Sequence, residues 1–222
     1  MTMTNADEYI QKYGELLIVS APSGAGKTSL VQALADCSDG QNVISVSYTT
    51  RPKRDDEEEG VSYHYVSEEQ FRDMASNGEF LEYATVFDNR YGTSRAWVEA
   101  QQQQGKNVIL EIDWQGAEQV KKFFPRCVTI FILPPSYETL EQRLRGRGND
   151  DEQIIARRMQ DALNEISHYR EYDYVVVNDD FDETLGHLQA IVRSSRHNLR
   201  YQSDFYDHFV GKLTGQAKAI QK

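Results

Sequence analysis

The stretch that decides the fold runs from Glu15 to Leu30 and reads ELLIVSAPSGAGKTSL. Its first part, Leu16 to Ser20, is a short apolar run, long enough for a buried strand and too short for a helix. The proline and two glycines that follow break regular structure, and Thr28 and Ser29 open an amphipathic helix. In this context of strand, glycine-rich loop and helix, the Gly-Lys-Thr sequence predicts a phosphate-binding loop.

Such a loop aims successive backbone N–H groups at an anion, at the positive end of a helix dipole. Lys27 can then reach the β- and γ-phosphates of a nucleotide, and the Thr28 hydroxyl can ligate Mg²⁺. The usual motif begins with glycine, whereas Ala21 holds that place here. A glycine-rich turn without a ligand is the alternative. Because Gly-Lys-Thr serves no packing purpose after this strand, we interpret the loop as a nucleotide-phosphate site.

The composition limits the classes of partner. The 222 residues include 24 basic and 35 acidic ones, and this net charge of −11 argues against a general nucleic-acid partner. An acidic chain that binds phosphates is expected to gather its arginines locally in one cleft. No apolar run approaches the roughly 20 residues that span a bilayer, so no membrane partner is expected. The N-terminus lacks the features of a signal peptide, and Cys37 and Cys127 lack metal-ligand spacing, which predicts a cytoplasmic protein with reduced thiols.

Apolar runs alternate with helical patterns, which predicts an α/β fold with a parallel sheet flanked by helices. Ligands of such sheets bind beyond the carboxyl ends of the strands. The phosphate loop, Glu111, Asp113 and Asn178 all occupy that edge. The predicted strands are 16–20, 41–47, 61–66, 107–113, 127–133 and 173–178, and 80–87 is an apolar run with Glu82 embedded in it.

The segment from about 48 to 95 is predicted to be a small α/β insertion in this sheet. Pro52 excludes a continuing central strand, and the acidic run 55–59 is expected to be a solvated loop. A helix with a capping signature opens at Ser67 and is expected to end at Asn77-Gly78. Tyr91-Gly92-Thr93 is expected to introduce a further helix that runs through Trp97 and Val98.

The later helices surround a cluster of arginines. Helices are predicted at 115–123 and from about 136 through Leu144, and a long amphipathic helical region is predicted at 181–209. The arginines between them could form a plain charged face. They are Arg143, Arg145, Arg147, Arg157 and Arg158, gathered around Gly146 and Gly148.

At this point the sequence resembles the guanylate kinase family. Eight segments match in order and spacing over about 14 to 195, which makes the resemblance far more specific than one phosphate loop. They are SAPSGAGKTSL at 20–30, SYTTRPKR at 47–54, GVSYHYV at 60–66, GEFLEYA at 78–84, YGTS at 91–94, ILEIDWQGA at 109–117, RLRGRG at 143–148 and VVNDD at 176–180.

The resemblance implies a P-loop nucleoside monophosphate kinase that uses Mg²⁺ and converts ATP and GMP into ADP and GDP. It divides the chain into a leader at 1–13, a kinase-like domain at 14–195, and a C-terminal helix and tail at 196–222. Within that domain it implies a CORE at about 14–46, 96–140 and 172–195, a GMP-binding region at about 47–95 and a helical LID at about 141–171.

The donor side of the implied site is the phosphate loop and its surroundings. Asp113 is similar to a Walker-B acid that orders Mg²⁺ through water, and Thr28 is the other implied metal ligand. Asn178 resembles the residue at the adenine edge, while Lys27, Arg51, Arg143, Arg147 and Arg158 are the implied catalytic cations. The implied ATP-binding residues of the loop are Ala21, Pro22, Ser23, Gly24, Ala25, Gly26, Lys27 and Thr28.

The acceptor side is implied to recognise both ends of GMP. Arginine can bond phosphate oxygens in pairs, so Arg51 and Arg54 are expected to hold the α-phosphate. A carboxylate suits the N–H donors of guanine, which assigns Glu82 to them by the resemblance. The implied GMP-binding residues are Ser47, Arg51, Arg54, Tyr63, Glu82, Tyr91, Thr93, Glu111 and Asp113. The family often has Asp where Glu111 sits and Ser where Thr93 sits, and both departures keep the chemistry.

Several alternatives stay open at this point. Arg51 and Arg54 could pair with the acids of 55–59, and Glu82 could be a solvated acid in an apolar run. The chain could be an inactive guanylate-kinase-like binding module, although such modules typically lose the loop lysine or glycines. It could also phosphorylate another acceptor, such as a phosphorylated pentose or a pyrimidine nucleotide. Use of dGMP and assembly into a homo-oligomer are undecided.

Overall fold

The computed structural model describes residues 14–86, 88–146 and 152–215; the expectations for the leader and for Arg147 lie outside these ranges. Nine strands and eight α-helices are present among the described residues. The strands are β1 (Leu16–Ser20), β2 (Asn42–Ile44), β3 (Tyr48–Thr49), β4 (His64–Tyr65), β5 (Phe80–Val86), β6 (Asn89–Ser94), β7 (Asn107–Glu111), β8 (Val128–Leu133) and β9 (Tyr174–Val177). The helices are α1 (Lys27–Asp36), α2 (Glu68–Ser76), α3 (Arg95–Gln103), α4 (Trp114–Phe123), α5 (Tyr137–Arg145), α6 (Glu152–Ser167), α7 (Phe181–Ser195) and α8 (Leu199–Leu213).

The larger sheet is parallel and has the strand order β2-β7-β1-β8-β9, which confirms the predicted α/β fold. Side chains alternate between its two faces, as the period of a strand requires. Leu17 and Val19 of β1 belong to the core that covers α1 and α7, whereas Leu16 and Ile18 face the core formed with α3 and α4. Because β1 lies at the centre, the phosphate loop leaves the sheet in the middle of its carboxyl edge.

A second sheet has the strand order β4-β3-β6-β5 and lies between residues 48 and 94. The helix expected through Trp97 and Val98 is present as α3, but Tyr91-Gly92-Thr93, which precede it, belong to a strand that the sequence did not indicate: they lie in β6, antiparallel to β5. Ser94 is the true cap, and its hydroxyl accepts from the Trp97 N–H at the start of α3. Glycine at position 92 lets β6 approach the aromatic core, since a Cβ there would lie 3.0 Å from the Phe80 ring.

Three other boundaries differ from the sequence-based expectations. The strand expected at 41–47 ends at Ile44, because the chain then crosses to the second sheet, where the Ser47 carbonyl accepts from the His64 N–H. The strand expected at 61–66 is reduced to β4, because Val61 and Ser62 turn back and donate to the Glu58 carbonyl. The region 181–209 contains two helices, α7 and α8, separated by a turn at 196–198.

A buried polar network joins the strands at the amino edge of the large sheet, far from the phosphate loop. Asn107 is 2% exposed; its Oδ1 accepts from the Glu15 N–H at 3.0 Å, and its Nδ2 donates to Asn42 Oδ1 at 2.8 Å. The Glu15 carboxylate in turn accepts from the Ser195 hydroxyl of α7. The network therefore ties β1, β2, β7 and α7 together below the site.

We predict that Asn107→Ala lowers the free energy of unfolding by about 2–3 kcal/mol, because it removes two buried hydrogen bonds, one from the Glu15 N–H and one to the Asn42 side-chain Oδ1. Urea denaturation followed by circular dichroism measures the change. The control is Gln32→Ala on the exposed face of α1, which should stay within about 0.5 kcal/mol of the wild type. Equal stabilities of the two variants would contradict the structural importance of the network.

Candidate active site

The phosphate loop has the backbone geometry that the sequence predicts. Gly24 and Gly26 both have positive φ, 93° and 91°, a conformation that side-chain-bearing residues rarely adopt. Helix α1 begins directly after Gly26, with no side-chain cap and no acid in its first turn. Its first N–H groups are therefore free of a competing internal acceptor and can bind an anion.

The loop is held from behind by side chains at the carboxyl edge. Buried Asn178, just beyond β9, donates from Nδ2 to the Ala25 carbonyl at 2.7 Å. Arg143 of α5 donates to the same carbonyl and to the Asn178 carbonyl, at 3.5 Å each. Asn178 thus braces the loop, a role that the sequence did not indicate; its contact with adenine stays a prediction.

Glu111 at the end of β7 contacts the donor side of the site. Its Oε1 accepts from the Thr28 hydroxyl at 2.5 Å and lies 3.9 Å from Lys27 Nζ. The parallel pairing of Val19 with Glu111 explains this position, because it aligns the end of β7 with the start of the loop. The carboxylate expected near guanine therefore lies beside the two residues expected to bind phosphate and metal.

Asp113 begins helix α4. Its Oδ1 accepts from the Gly116 N–H at 2.9 Å as the helix cap, and its Oδ2 accepts from the Gln115 side chain at 3.0 Å. The residue lines the same cleft as Glu111 and the loop. Its carboxylate is thus fixed in orientation by α4 and faces the cleft with its remaining lone pairs.

Glu82 is a buried carboxyl group at the other end of the cleft. It is 4% exposed, and its Oε1 accepts from the Thr93 hydroxyl at 2.5 Å across the β5–β6 pair. Burial raises the pKa of Glu82 to about 7; the Thr93 hydrogen bond opposes this rise, and the negative charge of Asp113 adds to it. The alternative of a solvated acid is therefore excluded for Glu82.

Arg51 lies at the rim of the cleft and is paired with an acid. Its Nη2 is 2.5 Å from Glu57 Oε1, and this hydrogen bond, the main cause, lowers the pKa of Glu57 to about 2. The pairing with the 55–59 run, left open by the sequence, is present for Arg51. Its guanidinium also lies 5.3 Å from the ring centre of Tyr63, which packs edge-on against Tyr91 at 5.8 Å.

The other expected cations lie apart from this rim. The Arg54 side chain is exposed, and its backbone N–H donates to Glu57 Oε2 at 2.9 Å. Arg158 lies half-buried on α6, and Arg147 is outside the described residues. No arginine of the described ranges is among the residues that line the cleft, so the expectation of arginines gathered in one cleft is not met there.

Glu165 of α6 is a cleft residue that the sequence did not reveal. Its Oε2 accepts from the Ser23 N–H at 3.2 Å. Burial raises the pKa of Glu165 to about 7, and the positive charge of Lys27 opposes this rise. A single acid on an amphipathic helix gives no sequence signal, because only the packing of α6 against the loop brings it here.

One cleft of about 290 Å³ joins the two halves of the site. Three of the residues expected at the site do not line the cleft and lie behind its wall instead: Thr93, Ala25 and Asn178. The arginines discussed above do not line the cleft either. Among its described lining residues Lys27 is the one base, against four acids. The lining residues are Ala21, Pro22, Ser23, Gly24, Gly26, Lys27, Thr28, Ser47, Tyr63, Glu82, Ala84, Val86, Tyr91, Glu111, Ile112, Asp113 and Glu165.

No group of three or more His, Cys, Asp or Glu side chains in the described ranges is arranged to hold a metal by itself. Within the same ranges, no helix is long and apolar enough to span a membrane.

The raised pKa of Glu82 predicts a pH-dependent stability difference between the wild type and Glu82→Gln. The folded state favours the neutral form of Glu82. The contribution of this carboxyl group to the stability of the wild type is therefore complete below pH 4.5 and is lost as pH rises through about 7. We expect the wild type to lose on the order of 3 kcal/mol relative to Glu82→Gln over this range. Urea denaturation without nucleotide, at pH values from 4.5 to 8, measures it; parallel stability curves would contradict the shift.

Comparisons with known proteins agree with this geometry. A family model described as guanylate kinase matches residues 13–195. The chain is 54% identical over 202 residues to a guanylate kinase of Alkalilimnicola ehrlichii, covering 91% of this chain and 99% of that one. It is 53% identical to a guanylate kinase of Hahella chejuensis, covering 92% and 98%.

A solved structure supports the same relationship. The crystal structure of guanylate kinase from Anaplasma phagocytophilum superposes with a TM-score of 0.73 at 34% sequence identity, covering 93% of this chain and 98% of that chain. Both the family model and the relatives span most of the sequence. The chain belongs to the guanylate kinase family.

Proposed function

We propose that this chain transfers the γ-phosphate of ATP to GMP, giving ADP and GDP, and so serves guanine nucleotide recycling and GTP supply. One observation carries the proposal: a single cleft has an uncapped phosphate loop with Lys27 at one end and the buried Glu82 carboxyl at the other. The division into CORE, GMP-binding and LID regions, and the cytoplasmic location, form part of the same proposal.

Guanine is selected by the Glu82 end of the cleft. The base presents N–H donors at N1 and N2, and a carboxylate accepts both. The O6 acceptor needs a hydroxyl donor, for which Ser47 is the candidate, because the Thr93 hydroxyl already donates its one proton to Glu82 Oε1. Adenine presents an acceptor at N1 instead, which would leave the buried carboxylate without its partner. This complementarity favours GMP over AMP, over pyrimidine nucleotides and over a phosphorylated pentose, while discrimination against dGMP has no support here.

The GMP phosphate is held at the rim of the cleft. Arg51 donates to Glu57 and packs on Tyr63, so its guanidinium is already oriented beside the cleft. Exchange of the Glu57 carboxylate for the GMP phosphate would keep a charge-assisted pair while delivering the cation to the substrate. Arg54, and the hydroxyls of Tyr63 and Tyr91, complete this phosphate site in the proposal.

The donor phosphates are held by the loop amides and Lys27. Phosphoryl transfer needs little covalent help, so positioning and positive charge at the transferring group carry the catalysis. Arg143 already contacts the loop from α5 at the Ala25 carbonyl. In the proposal it acts together with Arg147 and Arg158, and closure of the lid excludes water so that ATP is not hydrolysed.

Mg²⁺ is the metal that the family implies. The Thr28 hydroxyl, and Asp113 through water, would hold it, and Glu111 lies beside Thr28 as a further oxygen donor. These oxygen ligands suit a hard cation that keeps several waters and binds substrate phosphates. When bound, it neutralises charge on the β- and γ-phosphates. The placement of Glu111 favours this donor-side role over a contact with guanine.

An inactive binding module is the alternative from a different functional class. Gly24, Gly26, Lys27 and Thr28 are all retained, and the loop has the open geometry that phosphate binding needs. Turnover of ATP and GMP in a coupled ADP-release assay decides between the two functions.

We predict that Lys27→Met lowers kcat at least about 100-fold, because it removes a cation from the transferring phosphate while leaving the fold in place. The coupled assay measures kcat, and circular dichroism checks the fold. The control is Lys122→Met on the exposed face of α4, which should keep wild-type turnover. Wild-type turnover by Lys27→Met would refute the role of Lys27.

We predict that Glu82→Ala raises the KM for GMP about 100-fold while the KM for ATP changes less than about twofold. Two hydrogen bonds to a charged acceptor are lost, at roughly 1.5–3 kcal/mol each before compensation by water. Glu79→Ala, which removes an exposed acid just before β5, is the matched control. Equal changes in the two KM values would contradict recognition of guanine by Glu82.

A further inference from the structure

Gly116 lies in the first turn of α4, directly against the Glu82 carboxylate. A Cβ at this position would lie 2.7 Å from Glu82 Oε2, and 3.3 Å from Glu82 Cδ and from Ile112 Cβ. The first distance is below van der Waals contact, and Gly116 itself is buried. Any side chain on Gly116 must therefore displace the Glu82 carboxylate or α4.

Backbone conformation does not explain this glycine. Gly116 is absent from the positive-φ residues of the described chain, and its N–H donates to Asp113, a bond that any residue except proline can make. In a helix, glycine is less favourable than alanine by about 1 kcal/mol. Gly186 of α7 provides the contrast, because a Cβ there meets nothing within 4 Å. At position 116 the observed constraint is the adjacent carboxylate.

The Glu82 carboxylate is therefore confined from two sides. On one side the Thr93 hydroxyl donates to Oε1 at 2.5 Å, and on the other the bare backbone of Gly116 faces Oε2. A methyl group on Gly116 would push the carboxylate toward Thr93 or into the cleft, where guanine is bound in the proposed function. A shift of about 1 Å at a positioned group is enough to lose a large part of its effect.

We propose that Gly116 is a positioning residue for base selection: it sets the depth at which the Glu82 carboxylate meets the acceptor base. The inference rests on the proposed role of Glu82, and Gly116 acts through that side chain. It predicts a defect confined to the acceptor nucleotide, because the phosphate loop lies at the other end of the cleft.

The test compares Gly116→Ala with Gly186→Ala in steady-state assays. We expect Gly116→Ala to raise the KM for GMP at least tenfold, with the KM for ATP within twofold and kcat within a few-fold of the wild type. Gly186→Ala should leave all three constants unchanged. Wild-type KM for GMP in Gly116→Ala, or equal increases for ATP and GMP, would overturn the proposal.

A double-mutant cycle with Glu82→Ala separates positioning from general damage. Once the carboxylate is gone, Gly116→Ala should raise the KM for GMP no further, whereas independent additive effects would overturn the proposal. If Gly116→Ala alone fails to fold, the double variant should fold, because the clash is removed; misfolding of both would refute the steric link. An unchanged KM in Glu82→Ala alone would instead count against the proposed function of Glu82.

Discussion

The site depends on a rigid phosphate loop, and the hydrogen bond from the Asn178 side chain to the Ala25 carbonyl holds that loop in place. A phosphate loop must turn N–H groups toward the ligand and yet stay rigid. This structure achieves both by holding the loop through a carbonyl on its outer side, while two glycines with positive φ turn the amides inward. The central position of β1 then presents these amides at the middle of the carboxyl edge.

Charge in the cleft is arranged differently from a simple positive pocket. Four acids and one lysine line it among the described residues, and Arg51 is held at the rim by Glu57. The Glu57 carboxylate holds the Arg51 guanidinium in place and offsets its charge, which reduces its attraction for other anions. The acids lie in distinct surroundings: Glu82 accepts from Thr93 and in the proposed function binds the acceptor base, whereas Glu111 accepts from the Thr28 hydroxyl. In the proposed enzyme, the nucleotides bring further negative charge into the cleft, and Mg²⁺ offsets part of it.

In the proposed function, the second sheet gives the acceptor side its selectivity. Pairing of β5 with β6 places the Thr93 hydroxyl on the Glu82 carboxylate, and the close approach of α4 at Gly116 limits the room on the other side. A carboxyl group buried in this way resists ionisation unless a donor satisfies it, and guanine supplies two donors. Packing between a strand of the insertion and a helix of the large sheet therefore couples base recognition to the core.

The sequence by itself determined the parallel sheet, the phosphate loop and the residues expected around two nucleotides, because apolar periodicity, glycine placement and ordered motifs are local properties. It could not separate the strand β6 from a helix start at Tyr91-Gly92-Thr93, since Gly92 is explained by a ring 12 residues earlier in the chain. Only tertiary structure placed Glu165 on the loop, Asn178 beneath it and Glu111 beside Thr28. Those contacts join residues 83 to 153 positions apart, and their geometry depends on how strands and helices pack, which no local pattern records.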